Sequence, residues 1–249
     1  PGDEVKGATY LDKESSAKES AHKDQYEFYS GTSMAAPNFC GAEAIALSEH
    51  LGDDTYRKLL HARMMSTAVP MVENKGIANS GLRSPRSQGS GMVNLNRALT
   101  SSVVLEGKDL GSDKGNGKAK ICLYNSSDIA EGKLNLSFLT HNDSASAIEY
   151  VATTYVYRPD LVTLDEEKYP EFAGKVFQST NNHLIAEVNN DVTVNPGDDS
   201  VTLPEYTIPS LELDAIDENF PNGCAIEGFV VLTPKANAEE PELSIPYLG

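Results

Sequence analysis

The hydrophobic positions fall into two textures that meet near residue 100. From Ser33 the chain is small and apolar, with Ala35, Ala36, Ala42, Ile45 and Ala46, and the pattern predicts a helix that stops at about Leu51-Gly52. A second helix is predicted over 53–66, where Tyr56, Leu59, Leu60 and Met64 recur at helical spacing. Before these, Val5 lies in an extended-looking piece, and residues 12–24, rich in Lys, Glu and Ser, read as a surface loop or hairpin tip. A short helix is predicted around Arg97-Ala98-Leu99.

After Ser101 the period shortens. Short alternating or β-branched runs predict strands over 103–105, 119–124, 133–140, 150–157, 184–194, 201–208, 224–233 and 243–246. Turn signals such as Gly115-Asn116-Gly117 and Asn195-Pro196-Gly197-Asp198 separate them. The pattern predicts an antiparallel β-sandwich with no long amphipathic helix. Tyr155 and Tyr157, two apart on one strand, are expected to be half-buried packing.

Charge sharpens the boundary. Residues 1–100 carry 11 Lys/Arg against 12 Asp/Glu, whereas residues 101–249 carry 9 against 25. The net charge of −17 excludes the basic footprint of a nucleic-acid binder. The acidic half reads as a solvated surface, and its carboxylates form no EF-hand string. No apolar run has the length of a membrane span. Three cysteines make neither a disulfide framework nor a CxxC site. Cys40 is expected to be a buried thiol of the first helix; Cys122 and Cys224, both in strand-like surroundings, are left as a candidate pair.

The chemistry concentrates at Gly31-Thr32-Ser33-Met34-Ala35-Ala36-Pro37. Gly31 and Thr32 read as a turn into the first helix. Pro37 is tolerated in a first turn, which sets Ser33 at or just before the helix start. A serine there is ordinarily only an N-cap. The same place also sets a hydroxyl beside free N–H groups at the positive end of a helix, which suits a nucleophile whose attack generates an oxyanion.

All seven residues of this string resemble the serine motif of the subtilase family. The flanks extend the resemblance: Pro1-Gly2, the ending Met65-Ser66-Thr67-Ala68, and Gln88-Gly89-Ser90-Gly91-Met92-Val93-Asn94 followed by Arg97-Ala98-Leu99. Toward the end, Glu227-Gly228-Phe229-Val230-Val231-Leu232-Thr233 and Leu243-Ser244-Ile245-Pro246-Tyr247-Leu248-Gly249, with Tyr124-Asn125-Ser126-Ser127 earlier, resemble the fibronectin-III-like domain of the cell-envelope branch that includes lactocepins and C5a peptidases.

The resemblance implies an α/β C-terminal part of a subtilisin-like catalytic domain over 1–100, followed by an all-β fibronectin-III-like sandwich over 101–249. It implies Ser33 as nucleophile, with its backbone N–H in the oxyanion hole, and protein or peptide substrates. It also implies an extracellular, cell-surface location. No cofactor or metal ligand is identified, although the family admits calcium in intact members. In the family the base and its orienting carboxylate precede the serine, in contexts of their own. Here 32 residues precede Ser33; their one histidine, His22, lacks the His-Gly-Thr context, and Asp3 and Asp12 lack the Asp context. His50, His61, His141 and His183 all follow the serine. The expectation is therefore a fragment that is inactive alone, its incomplete catalytic portion leaning on the second domain or self-associating. The alternative is a non-enzymatic surface binding or structural module with a vestigial serine segment.

Overall fold

The computed structural model describes residues 3–8, 26–72, 81–109, 112–124, 127–163, 176–220, 223–235 and 239–249. The polar stretch at 12–24 lies outside them. The chain divides into two compact units, Pro1–Asp53 and Asp54–Gly249.

In the first unit, β1 (Val5–Ala8) pairs antiparallel with β2 (Tyr26–Tyr29), with Val5 opposite Tyr29 and Ala8 opposite Tyr26. Helix α1 (Thr32–Glu49) follows, and of its residues only Ala46 is buried. Cys40 is exposed and free, contrary to the expectation of a buried thiol. The helix carries small and apolar residues around its whole circumference, so its sequence does not mark one side as the covered one. Phe28 is 68% exposed and Leu51 84%.

The second unit begins with α2 (Asp54–Ser66), which buries Tyr56, Leu60 and Met64 as its spacing predicted. It buries Arg63 too. One Arg63 nitrogen, Nη1, donates to the Ser101 carbonyl at 2.6 Å, and Nη2 reaches Asp143 Oδ2 at 3.0 Å. The guanidinium also lies 4.9 Å from the centre of the Tyr56 ring. Two short helices follow, α3 (Pro85–Gln88), N-capped by Ser84, and α4 (Leu95–Thr100), N-capped by Asn94.

The strands then come in order: β3 (Val103–Glu106), β4 (Ile121–Cys122), β5 (Lys133–Leu134), β6 (Ser137–Asn142), β7 (Ile148–Thr163), β8 (Val176–Val194), β9 (Gly197–Thr202), β10 (Tyr206–Thr207), β11 (Glu227–Pro234) and β12 (Leu243–Leu248). The helices α5 (Ser127–Ala130) and α6 (Ser210–Asn219) interrupt them. Strands β4-β12-β11-β7-β8 form one sheet, β3-β6-β9 a second, and β10-β5 a small third. Every pair is antiparallel except β12 with β4.

The two larger sheets share one hydrophobic core. Val103, Leu105, Phe138 and Val201 enter it from the three-stranded sheet; Tyr150, Val156, Val230, Leu232, Ile245 and Tyr247 enter from the five-stranded one. On β6 the alternation is regular, with Phe138, Thr140 and Asn142 buried and their neighbours half-exposed. A register shift between Val156 and Tyr157 lets two successive side chains of β7 be buried. The Tyr155 and Tyr157 rings stack 6.4 Å apart; Tyr155 is half-buried as expected, whereas Tyr157 is fully buried.

Two features depart from the sequence reading. Helix α6 stands where no helix was expected; Leu213 and Ile216 reach the core from it, too few apolar positions to announce a helix. Cys122 and Cys224 are free. The last residues of the chain run between them: the Leu123 N–H donates to Leu248, and Ile226 and Gly249 bond each other.

Candidate active-site segment

The first unit places the seven motif residues at one helix start. The open end of the β1–β2 hairpin is closed by Ser30, whose Oγ donates to Asp3 Oδ1 at 2.6 Å and accepts the Glu4 N–H at 2.9 Å. Glu4 takes a left-handed backbone, φ 48°, that this bond helps hold. Asp3, considered among the acidic candidates in the sequence, is thus engaged in closing the hairpin. No signal in the sequence pointed to this clasp.

Gly31 follows with φ 149° and ψ 172°, a conformation open essentially to glycine alone. A Cβ there would find space, its nearest neighbour being Met34 Sδ at 3.9 Å, so the backbone and not crowding requires the glycine. The Gly31 carbonyl accepts both the Met34 and the Ala35 N–H, each at 3.1 Å. Helix α1 therefore begins at Thr32, and Ser33 is its second residue.

That differs slightly from the sequence expectation. Ser33 lies inside the first turn, and Pro37 is the sixth helical residue. Its ring nitrogen has no hydrogen, so the Ser33 carbonyl lacks its usual helical donor. The Ser33 N–H is among the early amides without an intrahelical acceptor. Ser33, Ala36 and Pro37 are exposed, as are Gly31 and Thr32, and Met34 and Ala35 are half-buried. The arrangement sets an accessible hydroxyl and a free N–H on one residue at the positive end of a helix.

Among the described residues of the first unit, no candidate histidine lies beside Ser33. His22 and Asp12 lie outside the described residues. His50 is the C-cap of the same helix. It lies seventeen residue steps along the helix from Ser33, roughly 25 Å at 1.5 Å per residue, far beyond hydrogen-bond reach. His61, His141 and His183 belong to the second unit. Among the described residues no group of three or more His, Cys, Asp or Glu is placed to hold a metal ion, and no helix is long and apolar enough to cross a membrane.

Comparison with known proteins adds a further observation. Residues 1–120 match the Subtilase family. The match contains the Ser33 segment and both flanks. Over 239 residues the chain is 26% identical to a C5a peptidase of Streptococcus pyogenes serotype M1, and over 238 residues 24% identical to a C5a peptidase of Streptococcus pyogenes. Each alignment covers 92% of this chain and 18% of the relative, so the chain spans less than a fifth of the curated relatives it matches. Together these likenesses support the subtilisin-like family and a serine-protease-like character.

Proposed function

We propose that this chain is part of a subtilisin-like serine endopeptidase in which Ser33 attacks the scissile carbonyl of a protein or peptide substrate. The observation that carries the reading is the placement of Ser33 as the second residue of α1, behind the Gly31 turn and inside a fully matched serine motif. A serine hydroxyl is a weak nucleophile at neutral pH. It needs an imidazole to take its proton and a carboxylate to orient that imidazole. As the attacked carbonyl becomes an oxyanion, the Ser33 N–H donates to it, reinforced by the helix dipole.

In this reading residues 1–100 are the C-terminal portion of the catalytic domain and residues 101–249 a fibronectin-III-like sandwich. The shared core of the two larger sheets supports the sandwich. The histidine and aspartate come from sequence contexts that the residues before Ser33 do not hold, and the 249-residue chain is inactive by itself. The exposed Phe28, Ile45 and Leu51 are apolar surface that the rest of a catalytic domain, or a second copy, would cover. The likeness to C5a peptidases supports an extracellular, cell-surface location. Calcium remains a proposal for the intact protein.

The test compares hydrolysis of a peptide substrate by two proteins: this chain alone, and the chain joined to a subtilase segment carrying the Asp and His motifs. The account expects turnover only in the second, reduced about 10⁴-fold or more by Ser33→Ala. Turnover that survives Ser33→Ala defeats it. A joined protein that folds but never turns over, whatever the substrate, favours the non-enzymatic surface module.

A further inference from the structure

Helix α3 packs against β11 and β12, anchored by the two bonds from Arg86 to Glu227. Beside it β4 is only two residues long and pairs with Tyr247 and Leu248 alone. A cavity of about 190 Å³ remains where α3, the end of α2 and β4 meet β12. Its walls are mostly apolar: Met65 from α2, Pro85 from α3, Ile121 from β4, and Pro246, Tyr247 and Leu248 from β12. All of them belong to the second unit.

Size, charge and one orphaned hydroxyl give this cavity a chemical preference. An apolar cavity of about 150 Å³ takes up benzene, so this one has room for one six-membered ring and an acid group. It has no room for a polypeptide backbone besides.

The charge runs against that of the surrounding chain. Residues 101–249 carry 9 Lys/Arg against 25 Asp/Glu, yet the described residues that line the cavity include Arg86 and Lys120 and no carboxylate. Glu227 engages Nε and Nη2 of Arg86 and offsets its charge. Lys120 is exposed at the mouth, and among the described residues its ammonium has no ion-pair partner. The cavity therefore presents an uncompensated cation.

Ser90 supplies the third feature. It lines the cavity and is 8% exposed, and its Oγ has no hydrogen-bond partner among the described residues. A buried hydroxyl left unpaired costs stability, which an acceptor on a bound molecule would restore.

We propose that this cavity binds a small aromatic carboxylate. The ring fills the space between α3 and β12, Lys120 supplies the counter-charge, and the Ser90 hydroxyl donates a hydrogen bond. Cys122, free and half-buried, also lines the cavity and reports on its occupancy.

The experiment titrates the 249-residue chain with phenylacetate, with its neutral isostere phenylacetamide and with acetyl-phenylalanine. It follows amide ¹⁵N shifts and the rate at which iodoacetamide alkylates Cys122, with exposed Cys40 as internal control. Phenylacetate should shift the amides of Ser90, Ile121 and Leu248 and slow alkylation of Cys122 several-fold, with Cys40 unchanged. Phenylacetamide should bind roughly tenfold more weakly, because a charge-assisted hydrogen bond is the stronger kind. Lys120→Gln changes an exposed side chain and should fold normally. It should lower the affinity for phenylacetate to that for phenylacetamide and leave the amide's affinity unchanged. Equal affinities of acid and amide for the native chain overturn the proposal, and so does an affinity for the acid that Lys120→Gln does not lower. Phenylacetate that neither shifts these amides nor protects Cys122, up to its solubility limit, overturns it as well. Tighter binding of acetyl-phenylalanine than of phenylacetate would assign the cavity to a polypeptide chain end and overturn the small acid.

Discussion

Truncating Arg86 should cost far more than loss of an ordinary surface ion pair. Arg86, on α3, donates from Nε to Glu227 Oε2 at 2.8 Å and from Nη2 to Oε1 at 3.2 Å. Glu227 opens β11, and its side chain is fully buried, whereas that of Arg86 keeps 35% exposure. The hydrogen bond to Glu227 raises the Arg86 guanidinium above its ordinary value, with burial opposing. Arg86→Ala leaves a buried carboxylate without its counter-charge. Such losses cost about 3–5 kcal/mol, and the partial exposure of Arg86 points to the lower end. At about 2–4 °C per kcal/mol, the midpoint should fall by about 6–12 °C. Arg86→Met combined with Glu227→Leu removes both charges and should recover most of that loss. Circular dichroism melts and urea titrations of the native chain, the single variant and the double variant provide the assay. A single variant within about 1 kcal/mol of native, or a double variant no more stable than the single, would refute the reasoning.

Other expectations follow from the same contacts. Arg63→Ala opens the bonds to Ser101 and Asp143 and the stack on Tyr56, and a urea titration should show a loss of about 3 kcal/mol. Gly228→Ala would drive a Cβ to 1.9 Å from the Tyr155 carbonyl oxygen, so β11 must shift from β7; a loss of about 3 kcal/mol is expected in the same assay. Burial pushes the Cys224 thiol up, with Arg158 and Arg86 opposing, so at neutral pH it holds less thiolate than an ordinary cysteine. With iodoacetamide under native conditions, exposed Cys40 should be alkylated well before Cys224, as read by peptide mass spectrometry. Equal rates would contradict the placement.

Much of this architecture is legible in the chain because local rules dominate it. Tyr56, Leu60 and Met64 announce α2 by spacing, and β11 and β12 stand out as continuous apolar runs with all but their last residues buried or nearly so. The motif at Ser33 is legible because its glycine meets a backbone requirement and its small residues continue into a helix. Pairing is less legible. The 150–157 and 184–194 runs read as separate short strands, yet they belong to one hairpin of 16- and 19-residue strands. Pro159 sits beside a register shift and beyond the stretch of β7 that pairs with β11, where a missing N–H costs little. The Arg86–Glu227 pair joins residues 141 apart, and no sequence pattern announces such a contact. Exposure of Cys40 was unreadable for a different reason: α1 is apolar and small all round, so tertiary surroundings alone decide which side is covered.

The central claim is that Ser33 is a nucleophile awaiting a base from elsewhere in the protein. Fluorophosphonate labelling with mass-spectrometric mapping addresses it directly, because the reagent reports an activated serine without knowledge of the substrate. The account predicts no label on the 249-residue chain, and label confined to Ser33 once the chain is joined to a segment bearing the Asp and His motifs. Label at Ser33 in the isolated chain, or at another residue in the joined protein, would contradict it.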